Sequence, residues 1–239
     1  MPGRPDRRTI ALVLLALATP VVAGAQRDTT PAPPIQDNSF LVEEAYNQER
    51  GVVQHISAFL RERTGRAWSY SFTQEWPAPG QRHQLSYSIP IVQLDGAPAT
   101  RGVGDVALNY RYQLRGLAGE RVAIAPRLSL LVPTGSASKG TGAGGAGVQL
   151  NLPLSAELSR TVVTHLNAGT TLTPRARSGG YTARTTSWNA GQSVIWLVTQ
   201  RVNFMLEAAW SRVESPRGDG EVSRESQLLV SPGVRWAYD

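Results

Sequence analysis

The chain has 239 residues, 41% of them hydrophobic, and a formal net charge of +6 at pH 7. This length suits one large β domain or two small domains. The absence of cysteine excludes disulfide bonds and thiolate metal sites. The positive charge raises the question of nucleic-acid binding, but the arginines are scattered and form no basic run, so we expect no nucleic-acid partner.

The first 25 residues have the three parts of a secretory signal peptide. Three arginines lie within the first eight residues, and residues 10–17 (IALVLLAL) form an apolar core that is too short to span a membrane. Small residues at 23–25 allow cleavage after about Ala25. An uncleaved anchor is the alternative, which the short core disfavours. The sequence therefore predicts an exported protein, with the periplasm, the outer membrane or the exterior as its destination in a Gram-negative cell.

Residues 26–49 read as a polar lead to the main domain. Residues 26–37 are rich in proline and polar side chains, which is typical of a flexible segment. Asn38 or Ser39 could then cap a short helix with Glu43 and Glu44 near its positive end. The alternative is an ordinary loop, and the sequence leaves both open.

From residue 50 to residue 239 the chain alternates apolar and polar residues as β-strands do. The clearest case is GDVALNYRYQL, residues 104–114, in which Leu108 and Tyr110 point one way and Asn109 and Arg111 the other. We count about ten strands, or twelve if the long segments from 147 to 198 divide differently. The predicted strands cover about residues 52–59, 68–76, 85–91, 104–114, 122–132, 148–155, 158–172, 181–198, 202–211 and 227–238.

The length of these strands indicates whether their apolar face meets a protein core or lipid. All ten run for at least 7 residues and seven of them for at least 9, whereas strands of soluble domains average about 5–6 and a tilted membrane-spanning strand needs about 9–11. Together with the signal peptide and the tryptophans near strand ends, this favours lipid on the apolar face. The predicted fold is all-β: an antiparallel transmembrane up-and-down β-barrel of about 10 strands, 12 being the alternative, with a short N-terminal periplasmic segment.

Two sets of residues follow from this prediction. The polar faces supply the candidates for the barrel lumen, where charges either pair and fill the interior or line a path for solutes. They are Glu75, Asp105, Asn109, Arg111, Gln113, Arg127, Asn203, Glu207 and Arg235. Aromatic residues near strand ends are the candidates for the girdles at the membrane interfaces. They are Trp68, Trp76, Trp196, Trp210, Trp236 and Tyr238.

Four local features could suggest a special site or an irregular strand. GAGGAG, residues 142–147, has the spelling of a dinucleotide loop, but a strand-like segment follows it and we expect only a loop, hence no cofactor. The histidines at 55, 83 and 165 have no spacing that predicts a metal site. THLNAGT, residues 164–170, faintly resembles the His-x-Ser-Asn motif of outer-membrane lipid A deacylases but lacks the serine. Pro126 within the predicted strand 122–132 requires a bulge or a shorter strand.

Four stretches carry a resemblance to a known family: DNSFLVEEAYNQERGVVQHI, GVGDVALNYRYQL, APRLSLLVPTGS, and NLPLS followed by THLNAGTTLTP. They resemble the outer-membrane family labelled "meta-pathway of phenol degradation", from about Asp37 to the end of the chain. The resemblance implies a transporter-like transmembrane β-barrel for small compounds, aromatic or hydrophobic ones included. It brings no catalytic signature, so we expect no enzyme.

Two classes of function stay open at this point. The first is a passive channel or uptake barrel for small solutes. The second is a non-transporting barrel, either a structural one with a plugged lumen or, less favoured, a lipid-modifying barrel enzyme. The expected partners are outer-membrane lipids and lipopolysaccharide, the barrel-assembly machinery and a small hydrophobic or aromatic solute.

Overall fold

The computed structural model describes residues 13–20, 39–63, 65–117 and 120–236, and within these ranges every regular element is a β-strand. The first seven strands are β1 (Val13–Pro20), β2 (Gln54–Arg61), β3 (Trp68–Pro77), β4 (His83–Leu94), β5 (Thr100–Val103), β6 (Val106–Tyr112) and β7 (Val122–Ile124). The others are β8 (Arg127–Val132), β9 (Gly147–Glu157), β10 (Val162–Ser178), β11 (Tyr181–Leu197), β12 (Val202–Gly218) and β13 (Glu221–Trp236). No helix in the described ranges has the length and apolar character to cross a membrane.

Ten of these strands form one antiparallel up-and-down sheet in the order β2-β3-β4-β6-β8-β9-β10-β11-β12-β13. The sheet is open and strongly curled, like half of a barrel. β5 extends the pairing of β4, β7 pairs with β9, and β1 pairs with the outer edge of β2. The predicted all-β, up-and-down architecture of about ten strands is thus confirmed.

The two ends of the sheet differ in their connections. At the lower end, where β2 begins and β13 ends, three turns of four to five residues join neighbouring strands, residues 78–82, 158–161 and 198–201, together with the longer connection between β6 and β8. At the upper end, β10 meets β11 and β12 meets β13 through turns at residues 179–180 and 219–220. The strands β10 to β13 have 16 or 17 residues and exceed the 6 to 12 of β2, β3, β4, β6, β8 and β9.

Polar residues occupy the concave face of the sheet, and apolar residues occupy its convex face. On β6 and just beyond it, Asn109, Arg111 and Gln113 are at most 7% exposed, whereas Leu108 and Leu114 are 48% and 58% exposed. The same alternation runs through the neighbouring strands, since the two faces of a strand follow a period of two. Apolar side chains that are between 38% and 63% exposed include Leu128, Leu150, Leu166, Val194, Leu206 and Val230. This distribution is the reverse of that in a water-soluble domain.

The strand predicted over residues 122–132 is divided in two. β7 ends at Ile124 and β8 begins at Arg127, because Pro126 offers no N–H to the ladder. β7 then pairs with β9 and, through Ile124, with Arg115 beyond β6, whereas β8 lies between β6 and β9. The proline was therefore the signal for a break in the strand.

The strand predicted over residues 158–172 is displaced. Leu158 lies in the turn before β10, and β10 continues to Ser178 across a register shift between Thr173 and Ala176. The register shift spans Pro174, and a β-bulge is one of the settings in which a sheet accepts a proline.

The glycine-rich segment is a packed loop at the upper end. Residues 133–146 connect β8 to β9, and a strand follows GAGGAG. The Asp105 carboxylate accepts hydrogen bonds from the N–H groups of Gly135 at 2.9 Å and Ala143 at 2.7 Å. An ideal Cβ on Gly145 would lie 2.1 Å from the carbonyl oxygen of Arg175, so the loop approaches β10 closely.

The segment before β2 is a loop and not the short helix that was the other alternative. No helix begins at Ser39: residues 39–49 form neither helix nor strand. Asn38 lies outside the described residues, as does most of the predicted signal peptide. Residues 13–20 of that peptide form β1, with Thr19 opposite His55 of β2.

Candidate functional site

Residues 39–48, the crossing segment, run across the concave face of the sheet from β12 to β4. The Glu207 carboxylate on β12 accepts hydrogen bonds from the N–H groups of Phe40 and Leu41 at 3.0 Å. At the other end, Gln84 on β4 accepts a hydrogen bond from the N–H of Gln48 at 2.6 Å. The segment thereby covers the polar interior of the curled sheet.

Side chains of the sheet pair with the backbone of the crossing segment between these two ends. Asn167 of β10 accepts from the N–H of Glu43 and donates to its carbonyl oxygen, both at 2.6 Å. Ser155 of β9 accepts from the N–H of Ala45 at 2.9 Å. Gln113, just after β6, donates to the Ala45 carbonyl at 2.6 Å and accepts from the N–H of Asn47 at 2.7 Å. These bonds satisfy backbone groups that are shielded from water, as buried peptide groups require.

The Glu43 side chain lies at the centre of the site. One of its oxygens is 3.3 Å from Nη1 of Arg111, and the other is 2.9 Å from Nε of Arg127. Asn151 of β9 donates a third hydrogen bond to this carboxylate at 2.8 Å. One acidic residue of the segment is therefore held by three neighbouring strands, β6, β8 and β9.

Arg111 depends on the crossing segment for its partners. Its guanidinium donates to the Glu43 carboxylate, to the carbonyl oxygens of Glu44 and Tyr46, and to Oδ1 of Asn47 at 3.0 Å. All four acceptors belong to the segment, and the residue is only 5% exposed. A buried guanidinium needs such acceptors, because an unpaired buried charge is strongly destabilising.

The structure brings most of the predicted lumen candidates to this concave face. Asn109, Arg111, Gln113, Asn203 and Glu207 are buried there. Glu75 and Arg127 are partly buried, and the side-chain amides of Gln48 and Gln84 donate to the Glu75 carboxylate.

Two other candidates lie nearer the ends of the sheet. Arg235 is partly buried near the end of β13, opposite Asn203 of β12. Asp105 lies just before β6 at the upper end and organises the loop over residues 133–146, so it does not join the central site.

The described girdle candidates lie on the convex face, all of them near strand ends except Trp210, which lies at the middle of β12. Trp196 and Trp236 at the lower end are 58% and 71% exposed, and Trp76 is partly buried there. Trp210 is 39% exposed higher on β12. At the upper end, the guanidinium of Arg101 lies 4.9 Å from the ring centroid of Trp68. Tyr238 lies outside the described residues.

A buried polar row lies beneath the crossing segment. Ser155, His165, Ser193 and Glu207 occupy matched positions on β9 to β12, and each is 0% exposed. Ser155 Oγ and His165 Nδ1 are 2.7 Å apart, while Nε2 of His165 and Oγ of Ser193 have no hydrogen-bond partner in the described part of the chain. The serine–histidine pair is fully buried on the concave face, where the His165 ring contacts the ring of Tyr46, and it does not reach the convex surface.

The other two histidines lie apart from this row. His55 contacts Gln74 at 3.2 Å and stacks on Phe72, and His83 contacts the Tyr110 hydroxyl at 2.7 Å. Among the residues described, no three histidine, aspartate or glutamate side chains come together as metal ligands.

The sequence reasoning missed several members of the site. Gln149, Asn151, Ser155, His165 and Asn167 all lie on the polar faces of β9 and β10, where the alternation could have identified them. The sequence indicated Glu43 only as a charge near the end of a possible helix. In the structure its carboxylate binds Arg127, which is 84 residues away in the chain, and no local pattern encodes that contact.

In the comparison with known proteins, no protein-family model and no curated protein matches the chain.

Proposed function

We propose that this chain is an outer-membrane β-barrel that passes small solutes, and that the crossing segment holds its interior closed in the state described here. One observation carries the proposal: residues 39–48 fill a polar concave face whose convex counterpart exposes apolar side chains. A polar interior behind an apolar exterior is what a membrane barrel requires. The resemblance to the phenol-degradation family supports small aromatic or hydrophobic compounds as the class of solute.

The aromatic residues of β11 support a membrane-sized apolar band. Trp188 and Trp196, 51% and 58% exposed, lie eight residues apart on the same strand. At about 3.3 Å per residue this is about 26 Å along the strand, or about 20 Å in height for a tilt of ~40°. The apolar band of outer-membrane barrels is of the same order, about 25 Å tall.

Exposed arginines lie at the upper edge of this band and above it. Arg212 of β12 pairs with Trp188, Arg184 of β11 lies four residues beyond Trp188 toward the upper end, and both are exposed. Guanidinium groups bind phosphate oxygens well. We therefore place the upper end at the cell surface, where lipopolysaccharide supplies phosphates, and expect the barrel-assembly machinery to insert the chain.

Closure of the sheet follows from the removal of the predicted signal peptide. β1 occupies the outer edge of β2, and no strand in the described part of the chain pairs with the outer edge of β13. An unpaired edge is not tolerated in the hydrocarbon region. We propose that cleavage after about Ala25 frees β2 to pair with β13 and that this pairing closes the barrel.

The proposal is tested by planar-bilayer conductance of the mature chain, residues 26–239, beside a variant that lacks residues 39–48. We expect few conductance steps from the full mature chain and frequent, discrete steps from the deletion variant, because the deletion removes the acceptors of Arg111 and opens the interior. Equal and frequent steps from both chains would show that the segment does not close the barrel.

The density of hydrogen bonds across the concave face also favours the second candidate, a structural barrel with a permanently sealed lumen. In that case the deletion variant would insert into the membrane, as judged by protection from protease in vesicles, and still give no conductance. This outcome would retain the barrel and refute the transport function.

A further inference from the structure

We propose that Arg111, Arg127 and Asn151 form a binding site for small organic carboxylates, occupied in this state by the Glu43 carboxylate, and that a solute carboxylate which replaces Glu43 releases the crossing segment. This inference rests on the proposed function, since it names the class of solute that opens the barrel.

The geometry around Glu43 is that of a carboxylate site. Donors from three strands converge on its two oxygens: Arg111 Nη1 at 3.3 Å on one, and Arg127 Nε at 2.9 Å with Asn151 Nδ2 at 2.8 Å on the other. Charge-assisted hydrogen bonds of this kind are about twice as strong as neutral ones. The three donors to the carboxylate belong to the sheet, and the carboxylate itself belongs to the segment.

The two arginines differ in what they retain when the segment leaves. Arg127 keeps Oδ1 of Asn109 at 2.9 Å, Oγ of Ser129 at 2.7 Å and Oε1 of Gln149 at 3.1 Å. Arg111 loses all four acceptors described above, because each belongs to residues 43–47. An open interior therefore contains a guanidinium that has lost its hydrogen-bond acceptors, and an anionic solute stabilises that state where a neutral one does not.

The other carboxylates on the concave face are held elsewhere. Glu75 keeps the hydrogen bond from Nε2 of Gln84 at 2.9 Å, whether or not the segment is present. Glu207 binds the N–H groups of Phe40 and Leu41 and lies on β12, three strands beyond β9 in the sheet. Glu75 also interacts electrostatically with Arg111 and Arg127, so a free carboxylate competes with Glu75 as well as with Glu43 for the two arginines.

A single introduced thiol reports release of the segment. Val42 is 4% exposed, and the chain has no cysteine, so a Val42→Cys variant carries one buried thiol. We would refold the mature variant into vesicles and measure the rate of maleimide labelling with sodium benzoate, with benzamide, and with sodium chloride at equal ionic strength. Since labelling follows the open population, benzoate at ten times its Kd should raise the rate about tenfold, while benzamide and chloride leave it unchanged.

Three further variants separate site binding from general loosening. Adding Glu43→Gln removes the internal competitor, so benzoate should act at a lower concentration. Adding Arg127→Gln should reduce the ratio of the labelling rates with and without benzoate to about one. Adding Arg212→Gln instead, at an exposed arginine on the convex face, should leave that ratio unchanged.

The outcomes distinguish failure of this inference from failure of the proposed function. Fast labelling without any solute would show that the segment is not closed, and the proposed function would fail with it. Slow labelling that Glu43→Gln accelerates but benzoate does not would overturn the carboxylate site alone. An equal effect of benzoate and chloride would also overturn it, because ionic screening would then explain the release.

Discussion

At the scale of single residues, the interior of the sheet is held by polar contacts and has little apolar packing. The buried apolar cluster consists of Ala45, Ala123 and Ala125, with Tyr46 packed against it. Small side chains of this kind bury little apolar area, so hydrophobic burial contributes little here. Specificity therefore comes from the hydrogen bonds and ion pairs of the crossing segment, of which those of Glu43 are the most concentrated.

Gly145 provides a test of the close packing of the upper loop. We expect Gly145→Ala to lower the free energy of unfolding by about 1–3 kcal/mol, because the added Cβ would clash with the Arg175 carbonyl and the backbone must shift. Gly80→Ala is the matched control, since its Cβ would meet nothing within 4 Å. Urea unfolding of both variants in detergent would measure the difference, and equal midpoints would show that the loop does not press on β10.

At the scale of elements, a substitution on the convex face of β12 tests whether that face meets lipid or water. Leu206 lies between Phe204 and Trp210 and is 56% exposed. We expect Leu206→Arg to lower the free energy of unfolding in vesicles by about 1–3 kcal/mol, because Leu206 pairs with Val194 and so lies between the middle of the band and its lower edge at Trp196.

Leu158→Arg is the control for this substitution. Leu158 is 60% exposed but lies in the lower turn between β9 and β10, where a cation costs at most about 1 kcal/mol. Equal stability of the two variants, together with solubility in the absence of detergent, would refute the membrane assignment of the convex face.

The strands were predictable to the extent that their signals are local. Alternation over residues 104–114 gave both faces of β6, and Pro126 marked the break between β7 and β8. The end of β10 was missed because the alternation is interrupted at the bulge between Thr173 and Ala176. A register shift exchanges the two faces of a strand, so a period of two cannot follow it.

The candidate site was predictable only in part, for a physical reason. Arg111 and Arg127 could be assigned to a polar face from their own strands. Their shared partner Glu43 precedes them by 68 and 84 residues, and only the curl of the sheet brings the three together. Contacts of this kind follow from the tertiary fold and leave no periodic trace in the sequence.

At the scale of the whole molecule, we expect a barrel whose interior is blocked by a segment that can leave. The crossing segment reaches from β12 to β4 and makes its bonds with side chains of the sheet, so it can leave without breaking the ladder between strands. Such a contact can be locked covalently. An ideal Cβ on Gly191 would lie 3.1 Å from Cγ2 of Val42, a spacing that suits a disulfide between cysteines at the two positions.

The most direct test of the closed interior is the conductance of a Val42→Cys, Gly191→Cys, Glu43→Gln variant before and after reduction. The disulfide should keep the segment in place and the bilayer silent, and a reductant should release discrete steps, because the weakened segment can then leave. The single-cysteine variant with Glu43→Gln should not respond to the reductant. Identical traces in the two redox states, whether silent or conducting, would contradict a barrel that this segment opens and closes.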